Sequence, residues 1–163
     1  MINPVDILLS IPGIVIFNIA DKEFCADIRQ VYKILKLNET EFAVSQPSNN
    51  YQYICLNDIK IPIIDMHKFF GLKKLKKSSD SRVLFVEVNN TVYGFIVEKI
   101  QEFMAITRRF NVEDLSSAKQ KYSFFLRAIL DYDGRKLALP DFQKIDRALH
   151  SLPESKLENQ RAI

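Results

Sequence analysis

Four times along the chain, a run of β-branched and aromatic residues meets a short polar break and then a second such run. Residues 13–19 are followed by Asp21-Lys22-Glu23 and then 24–28; residues 53–56 by Asn57-Asp58 and then 59–64. Residues 82–88 are followed by Asn89-Asn90-Thr91 and then 92–97; residues 125–132 by Asp133-Gly134 and then 135–139. Each reads as strand, tight turn, strand, and Asp-Gly is a strong hairpin signal. Ile and Val number 29 against nine Ala, a composition that favours strands over helices. The pattern predicts a mainly β fold with two short helices. One runs over 65–70 and stops at Gly71, which suits the left-handed position beyond a helix end. The other runs over 141–149, with apolar residues at 142, 145 and 149 in helical spacing. Residues 113–120 are the best further helix candidate.

The hairpins come in matched pairs. A shift of 69 residues lays Ile19 on Val88, Asp21 on Asn90, Phe24 on Tyr93, Ile28 on Val97 and Val31 on Ile100. A shift of 76 lays Asn57-Asp58 on Asp133-Gly134, Ile61 on Leu137, Asp65 on Asp141 and Lys68 on Lys144. Two hairpin-plus-helix units at similar offsets point to a duplication and to two similar small β-barrels. The Lys/Ser-rich stretch 72–81 reads as the linker between the halves. A chain of 163 residues has room for one such domain over 13–150, with a lead-in at 1–12 and a tail at 151–163.

The remaining composition narrows the function. Four glycines make a phosphate-cradling glycine loop implausible, and two His and two Cys leave little for a metal site. A net charge of +3 is modest for a nucleic-acid binder. The apolar stretch 7–19 is broken by Ser10, Pro12, Gly13 and Asn18, too short to span a membrane and without the positive start of a signal peptide. The expectation is a soluble binding module with no catalytic residues, no metal and no cofactor, and with Cys25 and Cys55 reduced and buried.

Within this frame the stretch Ile61-Pro62-Ile63-Ile64-Asp65-Met66-His67-Lys68-Phe69-Phe70-Gly71-Leu72 is similar to the I-P-V-V-D-L-R-x-L-x-G-L signature of the CheW-like domain family. Residues 92–100 resemble that family's x-x-G-L-x-V-D-x-V segment, and 125–145 its terminal hairpin and helix. The resemblance implies two five-stranded, SH3-like barrels packed side by side. It implies a non-enzymatic cytoplasmic adaptor at membrane-associated receptor arrays. Its partners would be the regulatory domain of a chemotaxis-type histidine kinase and the cytoplasmic tip of a chemoreceptor, whose helix sits in the groove between barrels. No nucleic acid or membrane insertion is implied.

Matching the family's partner-binding positions selects Val31, Lys33, Gln52, Leu56, Asn57 and Asp58. The family's Asn-Leu-Arg-Gly turn stands here as Cys55-Leu56-Asn57-Asp58, with Gln52 at a usual glycine and Lys33 at a usual glutamate. The family's glutamate and arginine can pair; here the acid has become a base and the base is neutral. The alternative reading is an adaptor of pilus motility or another receptor–kinase system, retuned to a different partner or lacking one. A reading of a different class is a small ligand- or nucleic-acid-binding barrel.

The other notable residues have plain structural readings. Asp65 and Asp141 precede helices and read, with Gly71, as helix caps. His67 and His150 read as exposed or half-exposed on helix faces. Phe69, Phe70, Phe124 and Phe125 read as core or barrel–barrel packing, and Lys73, Lys74, Lys76 and Lys77 as a solvated run.

Overall fold

The computed structural model describes residues 10–37, 42–44, 52–73, 76–113, 115 and 124–151. The lead-in before residue 10, the tail beyond 151, Lys74 and most of the helix candidate at 113–120 lie outside them; Glu113 itself ends a strand. Among the described residues twelve strands form: β1 Gly13–Ile19, β2 Lys22–Asp27, β3 Val31–Lys36, β4 Phe42–Val44, β5 Gln52–Leu56 and β6 Ile59–Ile64, then β7 Arg82–Val88, β8 Thr91–Val97, β9 Lys99–Ala105, β10 Asn111–Glu113, β11 Leu126–Tyr132 and β12 Arg135–Pro140. Helices α1 (Met66–Phe70) and α2 (Phe142–Ser151) follow β6 and β12, and a 3-10 turn at Ile28–Gln30 joins β2 to β3.

The strands curl into two six-stranded sheets, ordered β10-β11-β12-β2-β1-β9 and β3-β7-β8-β6-β5-β4. The two orders are one order related by the repeat. Val31 pairs with Val86 and Lys33 with Phe85; 69 residues away, Ile100 pairs with Phe17 and Glu102 with Ile16. Even the bulge recurs, at Tyr32 in β3 and at Gln101 in β9. The parallel ladders Ile63↔Gly94 and Ala138↔Phe24 likewise share one register. A duplicated sequence reproduces its own strand pairing because register is fixed by which face must be buried.

The repeats are not the barrels. Strands β1 and β2 leave the first repeat to join β9–β12, while β7 and β8 leave the second to join β3–β6. The stretch 72–81 therefore runs from α1 to β7, between elements of one barrel. Hereafter the first barrel is β1, β2 and β9–β12, and the second is β3–β8.

This exchange explains the unbroken apolar runs of β1 and β7, which are buried on both faces. Val15, Phe17 and Ile19 meet Leu84, Val86 and Val88 in one central cluster between the barrels. The alternate residues face into their own barrels: Ile14 and Ile16 into the first, Val83 and Phe85 into the second. Burying such side chains contributes roughly 1.5–3 kcal/mol each, so the central cluster welds the barrels into one unit. Gly94 lies at a close approach inside the second barrel, since a Cβ there would sit 2.5 Å from Ile63 Cδ1. Its counterpart in the first barrel is Cys25, fully buried with its thiol pKa pushed up by that burial. Cys55, expected to be buried, is exposed: Ile54, the preceding residue of β5, takes the inward place, and side chains alternate faces along a strand.

All four hairpins turn on two residues with positive φ: Ala20-Asp21, Asn57-Asp58, Asn89-Asn90 and Asp133-Gly134. Two left-handed residues give the turn whose twist matches paired strands. The sequence places the first break at 21–23, but Lys22 and Glu23 are already in β2 and Ala20 takes the left-handed position. Alanine carries no signal for that conformation.

Candidate functional site

The six family-matched positions fall on two elements. Val31 and Lys33 lie on β3, the last strand of its sheet order. Val31 is half-buried and, with Ile28 and Ile34, packs against the central cluster, so this stretch borders the junction of the barrels. Tyr32 bulges outward and is 60% exposed, and Lys33 is exposed. Leu56, Asn57 and Asp58 form the tip of the β5–β6 hairpin. Leu56 packs under it in the second barrel, Asn57 and Asp58 hold φ values of 50° and 65°, and Ile59 beside them is exposed. Asn and Asp are the non-glycine residues that tolerate this conformation best. Gln52, half-buried, starts β5 opposite Val44, roughly 13 Å from Leu56 at about 3.3 Å of rise per residue.

In hydrogen-bonded order three strands stand between β3 and β5, yet the first barrel shows how such ends meet. There Arg135, just past its hairpin turn, forms ion pairs with Glu23 on β2 and Glu102 on β9. The repeat equates Glu102 with Lys33, Arg135 with Ile59 and Glu23 with Val92. By that equivalence, closure of the second barrel carries Lys33 towards the 57–59 turn. Where the first barrel has an acid–arginine–acid clasp, the second has Lys33, Ile59 and Val92. Ile59 is exposed, Val92 packs against the second barrel's core, and Lys33 has no acid at either equivalent position.

The helix starts are alike in the two repeats. Asp65 Oδ1 accepts the His67 backbone N–H at 2.9 Å, and Asp141 Oδ1 accepts that of Lys144 at 2.9 Å. Gly71 takes the left-handed position after α1, with φ 64°. These carboxylates satisfy orphan helix donors, and the two occur in different barrels, so they make no acid–base pair.

The structure corrects the reading of His67. Its side chain is only 3% exposed, with Nδ1 3.2 Å from Asp65 Oδ1 and Nε2 3.2 Å from Glu98 Oε1. Burial disfavours the charged imidazolium, but hydrogen bonds and charge from Asp65 and Glu98 outweigh it and raise the pKa. Helical position alone gave no sign of this, because Glu98 arrives from the end of β8, 31 residues away. His150 is exposed, its Nδ1 2.8 Å from the Asp146 carbonyl oxygen.

The aromatics divide. Phe70 is in the central cluster, 5.2 Å from Phe24 between ring centroids. Phe124 is 56% exposed, under the Lys144 ammonium at 3.9 Å, with half-buried Phe125 edge-on beneath it. The side chain of Phe69 lies outside the described residues. Sequence reasoning also missed buried Asp146, which accepts from the Tyr93 hydroxyl and, at 3.2 Å, from Asn89 Nδ2. The repeat held the signal: Tyr93 and Asp146 occupy the places of Phe24 and Phe70. Lys73, Lys76 and Lys77 are exposed. Among the described residues no group of three or more His, Cys, Asp or Glu is placed to hold a metal ion, and no helix is long and apolar enough to cross a membrane.

Comparison with known proteins bears on this geometry. The family model for the CheW-like domain matches residues 13–149. A Rhizobium etli protein named "Probable chemotaxis protein CheW" is 26% identical over 145 residues, covering 88% of this chain and 90% of the relative. The chemotaxis protein CheW of Rhizobium meliloti is 21% identical over 132 residues, 81% of this chain and 85% of its own length. The crystal structure of the scaffolding protein TtCheW from Thermoanaerobacter tengcongensis matches with a TM-score of 0.63 and 26% identity, over 79% of this chain and 83% of that one. With the model matched across both barrels and the same two-barrel architecture in a solved relative, this chain belongs to the CheW-like domain family.

Proposed function

We propose that this protein is a non-enzymatic coupling adaptor of a bacterial chemosensory system, joining a chemotaxis-type histidine kinase to chemoreceptors. The match of the CheW-like family model over 13–149 carries this reading, and the relatives named for chemotaxis and scaffolding support it. Such an adaptor supplies surfaces. It biases a kinase only through the difference in its contacts between two assembled states.

Two surfaces suit that task. One is the junction of the barrels beside Val31, apolar and bordered by Ile28 and Ile34, where a receptor helix docks as a helix docks in a groove. The other is the outer face of the second barrel at Lys33, Asn57, Asp58 and exposed Ile59, which takes the kinase regulatory domain. The departures at Lys33 and Asn57 favour a second reading: partner surfaces tuned to a different charge pattern, as in a pilus-motility system. A cytoplasmic place at receptor arrays follows from either.

The test is co-purification of the full chain from its native cell, alongside Val31→Glu and Asn57→Glu. Recovery of a histidine kinase and a receptor, each lost with one substitution, is the expected result. A kinase without a receptor selects the retuned adaptor. Neither partner, from a folded wild-type chain, sinks the proposal.

A further inference from the structure

The repeat also shows a place where one half is closed and the other is open. In the second barrel, His67 on α1 reaches Glu98 and fills the space between the helix start and the strand end. The equivalent residues in the first barrel are Gln143 on α2 and Arg29 in the 3-10 turn, and between them the space is a cavity of about 480 Å³. Its floor includes buried Leu139 and Phe142. Two further arginines, Arg127 and Arg147, line it. Helix α1 stops at Gly71, but α2 continues past the equivalent residue, and that residue is Arg147.

The charges inside are unevenly matched. Buried Asp27 holds Arg29 through Nε and Nη2, the latter at 2.7 Å, leaving Nη1 for another acceptor. Asp141 is turned to the helix start, where it accepts the Lys144 N–H. Arg127 and Arg147 form no ion pair among the described residues. Three arginines and two aspartates line the cavity, a net positive lining, and the two arginines outside the Asp27 pair suit an oxyanion, which arginine binds through paired N–H donors. A cavity of this volume is in the range of small-ligand sites.

We propose that this cavity binds a small oxyanion, a phosphate or carboxylate group, between Arg29, Arg127 and Arg147. The inference does not depend on the adaptor reading, since it rests on the charge and shape of the first barrel alone.

The test is calorimetric titration of the full chain at pH 7.5 and low salt, with inorganic phosphate and with citrate as probes. Saturable one-site binding is expected for at least one probe, and the tighter of the two identifies the phosphoryl or the carboxylate form. Arg127→Gln and Arg147→Gln, both at exposed positions, should each weaken binding about tenfold or more, and together abolish it. Removing Lys73, Lys76 and Lys77 should leave affinity unchanged. No saturable binding of either probe overturns the proposal. So does affinity that survives the double arginine substitution in a chain with unchanged circular dichroism, or that falls equally when the lysines are removed.

Discussion

At the start of α1 the protein buries a histidine between two carboxylates; at the equivalent start of α2 it leaves a cavity lined by arginines. The backbones around the two places share cap residue, register and bulge, and they differ in helix length, since α1 stops at Gly71 and α2 continues past Arg147. Two further equivalences have diverged in the same way. Phe24 and Phe70 pack ring to ring, whereas their counterparts Tyr93 and Asp146 share a buried hydrogen bond. Glu23, Arg135 and Glu102 clasp the first barrel, whereas Val92, Ile59 and Lys33 form no such clasp in the second, with Ile59 and Lys33 exposed. A duplicated scaffold keeps what backbone pairing demands and is free to vary what only side chains decide. The face that lost its clasp is the face the family-matched positions occupy.

Exchanging residues between the copies tests this comparison. The largest effect is expected from Glu98→Arg, which writes the first barrel's Arg29 into the closed site. The buried imidazole then loses one of its two carboxylate partners and faces a cation, and removing one partner of a buried pair costs up to about 3–5 kcal/mol. Urea denaturation followed by circular dichroism reads the change; a loss below about 1 kcal/mol would mean that Glu98 is not a working partner of His67.

Asp146→Ala comes next. It strands the buried Tyr93 hydroxyl and removes an acceptor from the exposed Asn89 amide, at a cost of about 1–3 kcal/mol. Adding Tyr93→Phe, which restores the first repeat's phenylalanine, should return part of that loss. A strictly additive double variant would show that the two side chains do not act as a pair.

The caps should separate the two helix starts more finely. Asp141→Ala removes one backbone acceptor and should cost about 0.5–2 kcal/mol. Asp65→Ala removes the same acceptor and also a partner of His67, so it should cost more than Asp141→Ala in the same denaturation series. Equal losses would place His67's stabilisation on Glu98 alone.

The smallest effect is a pH dependence that only the closed site confers. With its pKa raised in the folded state, His67 holds a proton that the unfolded chain releases near pH 6.5. Its contribution is therefore complete below that value and is lost as pH rises through the folded pKa, because the folded state binds more protons in that window. His67→Gln, which copies Gln143, should flatten the decline in melting temperature across it. A slope unchanged by that substitution assigns the dependence to other groups.

Much of this was legible in the chain. The hairpins, the helices and the offsets of 69 and 76 followed from alternating runs and turn residues, because strand pairing and tight turns depend on neighbours in sequence. The exchange of strands between repeats was not legible. A matched pair of hairpins is equally compatible with two sequential barrels, and only the pairing of β1 with β9 and of β3 with β7 decides. The burial of His67 was not legible for a related reason, because it depends on Glu98 arriving from elsewhere. Cys55, by contrast, is exposed because Ile54 and Leu56 take the inward face of β5.

The sequence by itself determined the mainly β content, the duplication, the capped helices and the CheW-like resemblance, all properties of local pattern and order. Only the tertiary structure decided which strands share a barrel, which helix start is sealed by His67 and which is left open to Arg29, Arg127 and Arg147. Those outcomes depend on side chains meeting across dozens of residues, where the free energy is set by burial and charge pairing in three dimensions rather than by any spacing along the chain.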